Sequence, residues 1–277
     1  MIGRRSFLFA GAACALSWPA GAEPTRLSFQ GSQEQGGLAI GTAPPKSLIK
    51  VDDKPVLVSP EGIFAFGLTY DATNPVRVTA VYPDGTSETR EVRAQARQYE
   101  IQTINGLPEK YVEPPPEVAQ RIAHERELIW DARLQETDGT DFVKGLEWPF
   151  PGILSSRFGS QRVLNGKPMA PHLGVDVAAP QGTPIHAAAD AIVSISGEFY
   201  IEGGLTVLDH GHGVSTCYLH QSKRLVEVGQ KVSRNEVIGL VGMTGRATGP
   251  HTHWGLAWFQ VKLDPSRSTR TPEPPAA

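Results

Sequence analysis

Four side chains able to bind a metal or move a proton occupy two places in this sequence. His172 and Asp176 are separated by three residues, and further along the chain His251 and His253 are separated by one. Three nitrogen or oxygen ligands can hold a catalytic zinc ion and leave one coordination position open for water. The fourth side chain of such a set is then free to transfer protons. The pattern therefore predicts a catalytic zinc centre.

The local geometry expected around these residues suits such a centre. Residues i and i+2 of a strand point to the same face, about 6–7 Å apart. One of His251 and His253 can therefore bind the metal while the other stands beside the water. The spacing of His172 and Asp176 suits a loop that enters a strand, and Gly174 between them allows close approach of the backbone.

A second pair, His210 and His212, has the same spacing as His251 and His253. Spacing alone does not separate the two pairs. The Asp and Gly residues that flank His210 and His212 indicate a hairpin turn between two strands, which is a mobile place for a ligand. Because His251 and His253 open a strand, which is stiffer, we expect His210 and His212 to be turn residues.

A further histidine, His220, ends a short apolar segment with strand character. Strict alternation places His220 on the same face as Tyr218 and Thr216, and places Cys217 and Leu219 on the opposite face. Cys217 is therefore expected to be a small core residue rather than a nucleophile. The strand pattern alone does not separate a functional His220 from one that is merely packed beside an aromatic ring.

The first 22 residues predict an export signal. Arg4 and Arg5 form a basic start, residues 7–16 are apolar but too few to span a bilayer, and residues 20–22 offer a small-residue cleavage site. The segment that begins with the two arginines resembles the twin-arginine export motif, with the general secretory route as the alternative.

Composition indicates a folded, mainly β protein. The chain has 277 residues with 29 Gly and 23 Pro, which favours many short strands joined by turns. A net charge of -3 argues against a nucleic-acid partner, and no segment beyond the signal is apolar enough to span a membrane. Since Cys14 falls inside the signal, Cys217 would be the one cysteine of the exported chain, which excludes an internal disulfide.

Hydrophobic periodicity predicts two β domains and a helix between them. Residues 23–112 are expected to form an antiparallel β-sandwich accessory domain of immunoglobulin-like type. A Pro-rich break opens a helical linker over residues 113–144, with a helix from about 118 to 134. A second antiparallel β domain, which holds the His and Asp pattern, is expected over residues 145–263. The tail, residues 264–277, is rich in Pro, Ser and Arg, which predicts disorder.

Several segments of the second domain, in this order, resemble the LytM/lysostaphin-type zinc metalloendopeptidases over about residues 148–263. The combination is far more specific than either His motif alone. The segments are Ser156-Arg157-Phe158-Gly159, His172-Leu173-Gly174-Val175-Asp176, Gly182-Thr183-Pro184-Ile185, Tyr218-Leu219-His220, Val228-Gly229-Gln230-Lys231-Val232, Thr244-Gly245 and Gly249-Pro250-His251-Thr252-His253.

This resemblance implies a role for each residue of the pattern. His172, Asp176 and His253 match the three zinc ligands of the family, and His220 and His251 match its two catalytic histidines. It implies a small antiparallel β core with an open groove. It also implies attack of zinc-activated water on a peptide carbonyl, while the histidines transfer protons and stabilise the oxyanion. The region of His210 matches the hairpin turn of the family rather than its site.

The resemblance and the export signal together predict a periplasmic endopeptidase that hydrolyses the peptide cross-links of peptidoglycan. A D-alanyl–diaminopimelyl bond is the expected target. The alternative is a non-catalytic relative that binds the wall or activates an amidase, although such relatives typically lack ligands that are complete here. Some relatives use a tyrosine near the oxyanion, and residues 166–171 offer no counterpart. That role is then left to His220, His251 and the metal.

Overall fold

A computed structural model describes residues 26–276 of the chain. The predicted export signal lies outside this range. Strands dominate the described part, so the mainly β, largely antiparallel prediction is confirmed. Over residues 26–276 we find no helix with both the length and the apolar character needed to cross a bilayer.

Two antiparallel sheets form the N-terminal part of the chain. One has the strand order β1-β2-β5 and the other the order β4-β3-β6-β7. The predicted hairpin β6–β7 is present, with Gly85 in its turn at φ +82°. The strands are β1 (Ser28–Gly31), β2 (Leu38–Thr42), β3 (Leu48–Val51), β4 (Lys54–Val56), β5 (Ile63–Gly67), β6 (Val76–Val81) and β7 (Ser87–Val92).

The two sheets enclose one apolar core. Alternation along β6 buries Val78 and Ala80 while Arg77 stays exposed, as expected for a strand with one face on a core. Phe64 and Phe66 stack with ring centroids 6.3 Å apart and are fully buried. The arrangement has the two layers expected of a sandwich, and its immunoglobulin-like character stays a prediction.

The connection to the second half contains one long helix. The predicted helix over about 118–134 corresponds to α2, and its side chains Ile122 and Ala132 are buried. The elements are β8 (Ile101–Ile104), α1 (Glu109–Val112), a 3-10 turn (Pro116–Val118), α2 (Ala119–Arg133) and a second 3-10 turn (Asp141–Lys144).

An eight-stranded sheet is the centre of the second half. Its main path runs β18-β14-β15-β16-β20-β12-β9, and a small sheet of order β13-β19-β17 stands beside it. The elements are β9 (Ile153–Ser156), β10 (Gln161–Leu164), β11 (Lys167–Pro168), β12 (Val175–Ala178), β13 (Pro184–His186), β14 (Ala191–Phe199), β15 (Gly203–Gly211), β16 (Val214–Gln221), β17 (Lys223–Arg224), β18 (Lys231–Val232), β19 (Val237–Leu240), β20 (His251–Trp258), β21 (Val261–Leu263) and a 3-10 turn (Pro265–Ser268).

The two faces of this sheet have different neighbours. Tyr218 and Trp254 lie on one face and are fully buried in the main core. Val207 and Cys217 lie on the other face, where Ala132 of α2 covers part of them. The exposed remainder of this second face forms the floor of a cavity, which leads to the residues of the predicted metal centre.

Residues 101–112 pack with the second half, although the sequence pattern assigned them to the first domain. β8 pairs in parallel with β10, so that Ile101 lies opposite Gln161 and Ile104 opposite Leu164. Leu107 and Val112 then pack against Leu164. Parallel partners are joined by long connections, so local periodicity carries no signal of such a pairing.

Residues 264–276 follow a defined path, although their composition predicts disorder. Asp264 is buried, and its side chain accepts a hydrogen bond from the Ser266 N–H at the start of the last 3-10 turn. The same carboxylate forms an ion pair of 2.8 Å with Arg97. Parallel bridges then join Leu146 to Thr269 and Leu154 to Ala276. These long-range partners fix a segment whose own residues carry little apolar surface.

Candidate metal centre

Three predicted ligand atoms converge at one point. His172 Nε2 lies 2.7 Å from His253 Nδ1, and each of these nitrogens lies 3.0 Å from Asp176 Oδ1. The pairing of β12 with β20 places Asp176 directly opposite His253, and the loop before β12 brings in His172. Among residues 26–276 these three side chains are the one group with donor atoms close enough together to share a metal ion.

The chemistry of the donor set fits zinc. Two imidazole nitrogens and one carboxylate oxygen are ligands that zinc accepts, and three protein ligands leave a coordination position open. His172 Nδ1 lies 3.2 Å from the Arg157 carbonyl oxygen, which can only accept a hydrogen bond. The proton is therefore assigned to Nδ1, and the lone pair of His172 Nε2 points at the other two donors.

A relay of hydrogen bonds supports His172 from a distant part of the chain. His172 Nδ1 lies 2.9 Å from Ser156 Oγ, and that hydroxyl donates to Gln102 Oε1 over 2.7 Å. Gln102 belongs to β8, which the first half of the chain contributes. Such partners fix the ring orientation of a metal-binding histidine.

Asp176 is held by charge on both of its oxygens. While Oδ1 faces the two histidines, Oδ2 accepts a hydrogen bond of 2.7 Å from the Arg162 guanidinium. Burial raises the pKa of Asp176, but the interactions with His172 and His253 outweigh burial and hold the pKa well below its ordinary value. The side chain is therefore a carboxylate, as a metal ligand must be.

Gly174 allows the close approach that its position predicts. A Cβ atom added there would lie 2.4 Å from His253 Nε2 and 2.9 Å from the Trp254 carbonyl oxygen. Both distances are shorter than a carbon atom tolerates. The absence of a side chain at this residue is therefore what lets the loop of His172 pass directly over the ring of His253.

The two remaining histidines of the pattern stand beside the three donors. The rings of His220 and His251 have centroids 4.8 Å apart. His220 Nδ1 donates to the Thr244 carbonyl and His251 Nδ1 to the Gly249 carbonyl, each over 2.8 Å. The Nε2 atoms are therefore the free ones, and His251 Nε2 lies 3.9 Å from Asp176 Oδ1.

Burial lowers the pKa of two histidines at the site, His220 and His253. Burial, together with the neighbouring histidines His251 and His253, lowers the pKa of His220 to about 3. Burial also lowers the pKa of His253 to about 4. His220 is therefore neutral at neutral pH, and with Nδ1 protonated it carries its lone pair on Nε2.

His220 does not lie on the face that strict alternation predicts. It lines the same cavity as Cys217 and Leu219, whereas Tyr218 points into the core on the other side. The register between β15 and β16 shifts here, and His220 adopts φ +64°, a left-handed conformation that is uncommon for a side chain of its size. A bulge of this kind turns the side chain towards the site.

The rival pair is separate from the metal centre, but the prediction that both are turn residues is wrong for His210, which lies within β15. His210 is buried, with Nδ1 donating to the Asp190 carbonyl over 2.9 Å. His212 occupies the β15–β16 hairpin at φ +54°, and its Nδ1 donates to the Leu57 carbonyl. Both histidines have structural partners of their own.

Arg162 and Gln102 were not identified from the sequence. Each reaches the site through the parallel pairing of β8 with β10, and neither stands in a motif with the ligands. The site opens into a cavity of about 600 Å³ between the central sheet and α2. The helix predicted as a linker therefore forms one wall of this cavity, to which it contributes Arg126 and Trp130.

Comparison with known proteins gives a family for this part of the chain. The family model described as peptidase family M23 matches residues 170–265. That range contains all three convergent donors and both neighbouring histidines. The curated relatives include the peptidoglycan DD-endopeptidases ShyA and ShyC of Vibrio cholerae, which are 46% identical over 104 residues and 38% identical over 126 residues.

These two matches are confined to part of each protein. They cover 37% and 45% of this chain, and 24% and 28% of ShyA and ShyC respectively. The chain therefore spans about a quarter of the length of the curated relatives that it matches.

One solved structure matches almost the whole described chain. A crystal structure from Pseudomonas aeruginosa, described as a peptidase M23, superposes with a TM-score of 0.67 at 30% identity. The match covers 85% of this chain and 94% of that one, and so extends well beyond the metal centre. By this likeness and by the family match around its site residues, the chain belongs to peptidase family M23.

Proposed function

We propose that this chain is an exported zinc peptidase that hydrolyses the peptide cross-links of peptidoglycan in the periplasm. The observation that carries the proposal is the convergence of His172 Nε2, Asp176 Oδ1 and His253 Nδ1 beside two histidines with free Nε2 atoms. This arrangement offers a metal site and a proton acceptor within one cavity.

Zinc held by His172, Asp176 and His253 would supply the Lewis acid that activates water and polarises the scissile carbonyl. His220 and His251 carry out the proton transfers. An unprotonated Nε2 accepts the proton of the attacking water, and the same nitrogen then donates it to the leaving amine. A ring that is protonated at Nε2 also donates a hydrogen bond to the developing oxyanion.

The fixed positions of these two rings support that role. Each is held through Nδ1 by a backbone carbonyl, so its tautomer does not have to change before a proton is accepted. The bulge at His220 turns this ring towards the cavity, and His251 at the start of β20 places its Nε2 3.9 Å from Asp176 Oδ1. Preorganised groups of this kind lose little free energy to reorganisation during the reaction.

The substrate is argued from the relatives and from the leader. The names of ShyA and ShyC describe them as peptidoglycan DD-endopeptidases. A D-alanyl–diaminopimelyl cross-link is the bond that this description supports here. The twin-arginine-like segment at Arg4 and Arg5 supports export to the compartment where that substrate is found.

The proposal is tested by digesting diaminopimelate-type sacculi with the zinc-loaded protein and measuring the released muropeptides by mass spectrometry. We expect cross-linked dimers to disappear with the wild type and to persist with His251→Ala. His124→Ala is a matched control, because that histidine is exposed on α2 and does not line the cavity. Unchanged dimers with zinc-loaded wild type would instead favour a wall-binding or amidase-activating regulator.

A further inference from the structure

The cavity beside the metal centre carries an excess of positive charge. Among its lining residues Glu202 is the one carboxylate. The cationic side chains of the lining are Arg126, Arg133, Arg162, Arg246 and Lys262. A cavity of this composition favours an anionic ligand.

Two of these arginines are held by other groups in the protein. Arg162 is paired with Asp176, and Arg133 lies close enough to the Cys217 thiol to interact with it electrostatically. Within the described part of the chain, Arg246 and Arg126 have no ion-pair partner and no hydrogen bond to their guanidinium groups. These two groups are therefore available to a ligand.

Glu202 compensates only part of this charge. It interacts at a distance with both Arg246 and Arg126, and it does not come within ion-pair range of either. Burial raises the pKa of Glu202. The space between the two arginines therefore keeps a positive potential.

The backbone holds Arg246 close to the proposed catalytic machinery. Its N–H donates to the Ile201 carbonyl over 2.8 Å. Two residues earlier, the Thr244 carbonyl accepts the hydrogen bond from His220 Nδ1. Gly245 between them has φ +67°, and an added Cβ would lie 2.4 Å from the Gly203 nitrogen. The loop that carries Arg246 is thus fixed to the same histidine that faces the metal site.

We propose that Arg246 and Arg126 form a carboxylate subsite that recognises the free carboxylate next to the scissile bond of a diaminopimelyl cross-link. The inference rests on the proposed function and specifies its substrate further. In such a cross-link the scissile amide nitrogen is attached to a carbon that also bears a carboxylate. A guanidinium binds this group through two parallel hydrogen bonds, which a carboxamide cannot reproduce.

The test compares two synthetic cross-linked peptides that differ only in this group, a carboxylate in one and a carboxamide in the other. We expect the wild type to prefer the free acid. Arg246→Gln should lower kcat/KM for the acid by about tenfold to a hundredfold, in line with loss of a charge-assisted hydrogen bond, and leave the amide nearly unchanged. Arg126→Gln should act in the same direction but less, because this side chain is exposed.

Matched variants separate recognition from structure. Arg121→Gln removes an arginine that lies on α2, like Arg126, but outside the cavity. It should leave the ratio of kcat/KM for the acid to kcat/KM for the amide unchanged. Arg246→Lys keeps the charge without the planar fork and should give an intermediate ratio. An equal loss on both peptides with Arg246→Gln, or a wild type with no preference, would overturn the subsite.

A binding measurement keeps this result distinct from the fate of the proposed function. Calorimetric titration of both peptides into zinc-loaded His251→Ala requires no turnover. Tighter binding of the acid, lost when Arg246→Gln is added, supports the subsite even if the wild type hydrolyses neither peptide. Equal binding of the two peptides refutes the subsite even if the wild type hydrolyses both.

Discussion

At the scale of single residues, the same hydrogen-bond pattern recurs in three histidines of the site. His172, His220 and His251 each place Nδ1 at hydrogen-bond distance from a backbone carbonyl, which leaves Nε2 for chemistry. His253 is reversed and turns Nδ1 towards the other donors. In the proposed function the same residue type thus serves as ligand or as proton acceptor according to the neighbours of its ring.

This division predicts two different losses. His253→Ala should abolish stoichiometric zinc binding, because it removes one of the three donors. His251→Ala should retain zinc and lower the rate of cross-link hydrolysis by about 100-fold to 10,000-fold, the usual contribution of a general acid or base. Elemental analysis and turnover of the same preparations measure both quantities. Loss of zinc in His251→Ala would contradict the assignment.

Gly174 allows a separate prediction. Gly174→Ala adds a methyl group 2.4 Å from His253 Nε2, so the ring must move away from the donor cluster. Zinc affinity should fall roughly tenfold or more, the scale on which disturbed ligand orientation acts. Competition with a chelator measures it. Gly166→Ala is a useful comparison, since a Cβ there meets no atom within 4 Å and any loss reflects its φ of +82° alone.

The residues of the site were largely predictable from the sequence, and the orientation of one was not. The spacing of His172, Asp176, His251 and His253 predicted that ligand atoms from both segments meet, as His172, Asp176 and His253 do in the structure. Alternation placed His220 on the wrong face, because strand periodicity assumes an unbroken ladder. A bulge is a local exception that depends on how the neighbouring strand pairs.

At the scale of elements, β8 connects the first half of the chain to the metal centre. Local patterns predicted the hairpin β6–β7 and the helix α2, because both are made by contacts close in sequence. They did not predict that β8 pairs with β10, since the two strands are far apart along the chain. Arg162 and Gln102 both reach the site through this pairing, so both were missed for the same reason.

The relay from β8 predicts a metal phenotype for a residue outside the motif. Gln102→Leu leaves the Ser156 hydroxyl without its acceptor, so His172 loses a fixed partner. Zinc affinity should fall about tenfold to a hundredfold. Gln95→Leu is the control, because this glutamine is exposed and its backbone pairs with Glu34 in the first half of the chain. Equal affinities for wild type and Gln102→Leu would show that the relay does not orient the ring.

At the scale of the whole molecule, buried neutral histidines make stability depend on pH. Burial lowers the pKa of His210, which packs in the second half away from the metal centre. The unfolded chain takes up a proton at this residue near pH 6.5, and the folded chain does so only at lower pH. Stability from this group is therefore present above about pH 6.5 and is lost as the pH falls.

We predict that the free energy of unfolding depends less on pH in a variant that lacks His210. Between pH 6.5 and 5, the free energy of unfolding of His210→Gln should decline by up to about 2 kcal/mol less than that of the wild type. Urea unfolding of the zinc-loaded proteins at the two pH values measures the difference. His124→Gln, at an exposed position, should follow the wild type. Parallel declines in His210→Gln and wild type would contradict the depressed pKa.

The contact of Gln102 with Ser156 has a further consequence in thermodynamic linkage. If docked β8 strengthens the hold of His172 on a metal, the metal strengthens the docking of β8 by the same free energy. Binding of a metal would therefore stabilise the contact of β8 with the second half of the chain, and removal of the metal would take away that part of the stabilisation. A bound metal would then stabilise the packing of β8 as well as take part in the reaction. The stability of this packing would therefore depend on whether the site is filled.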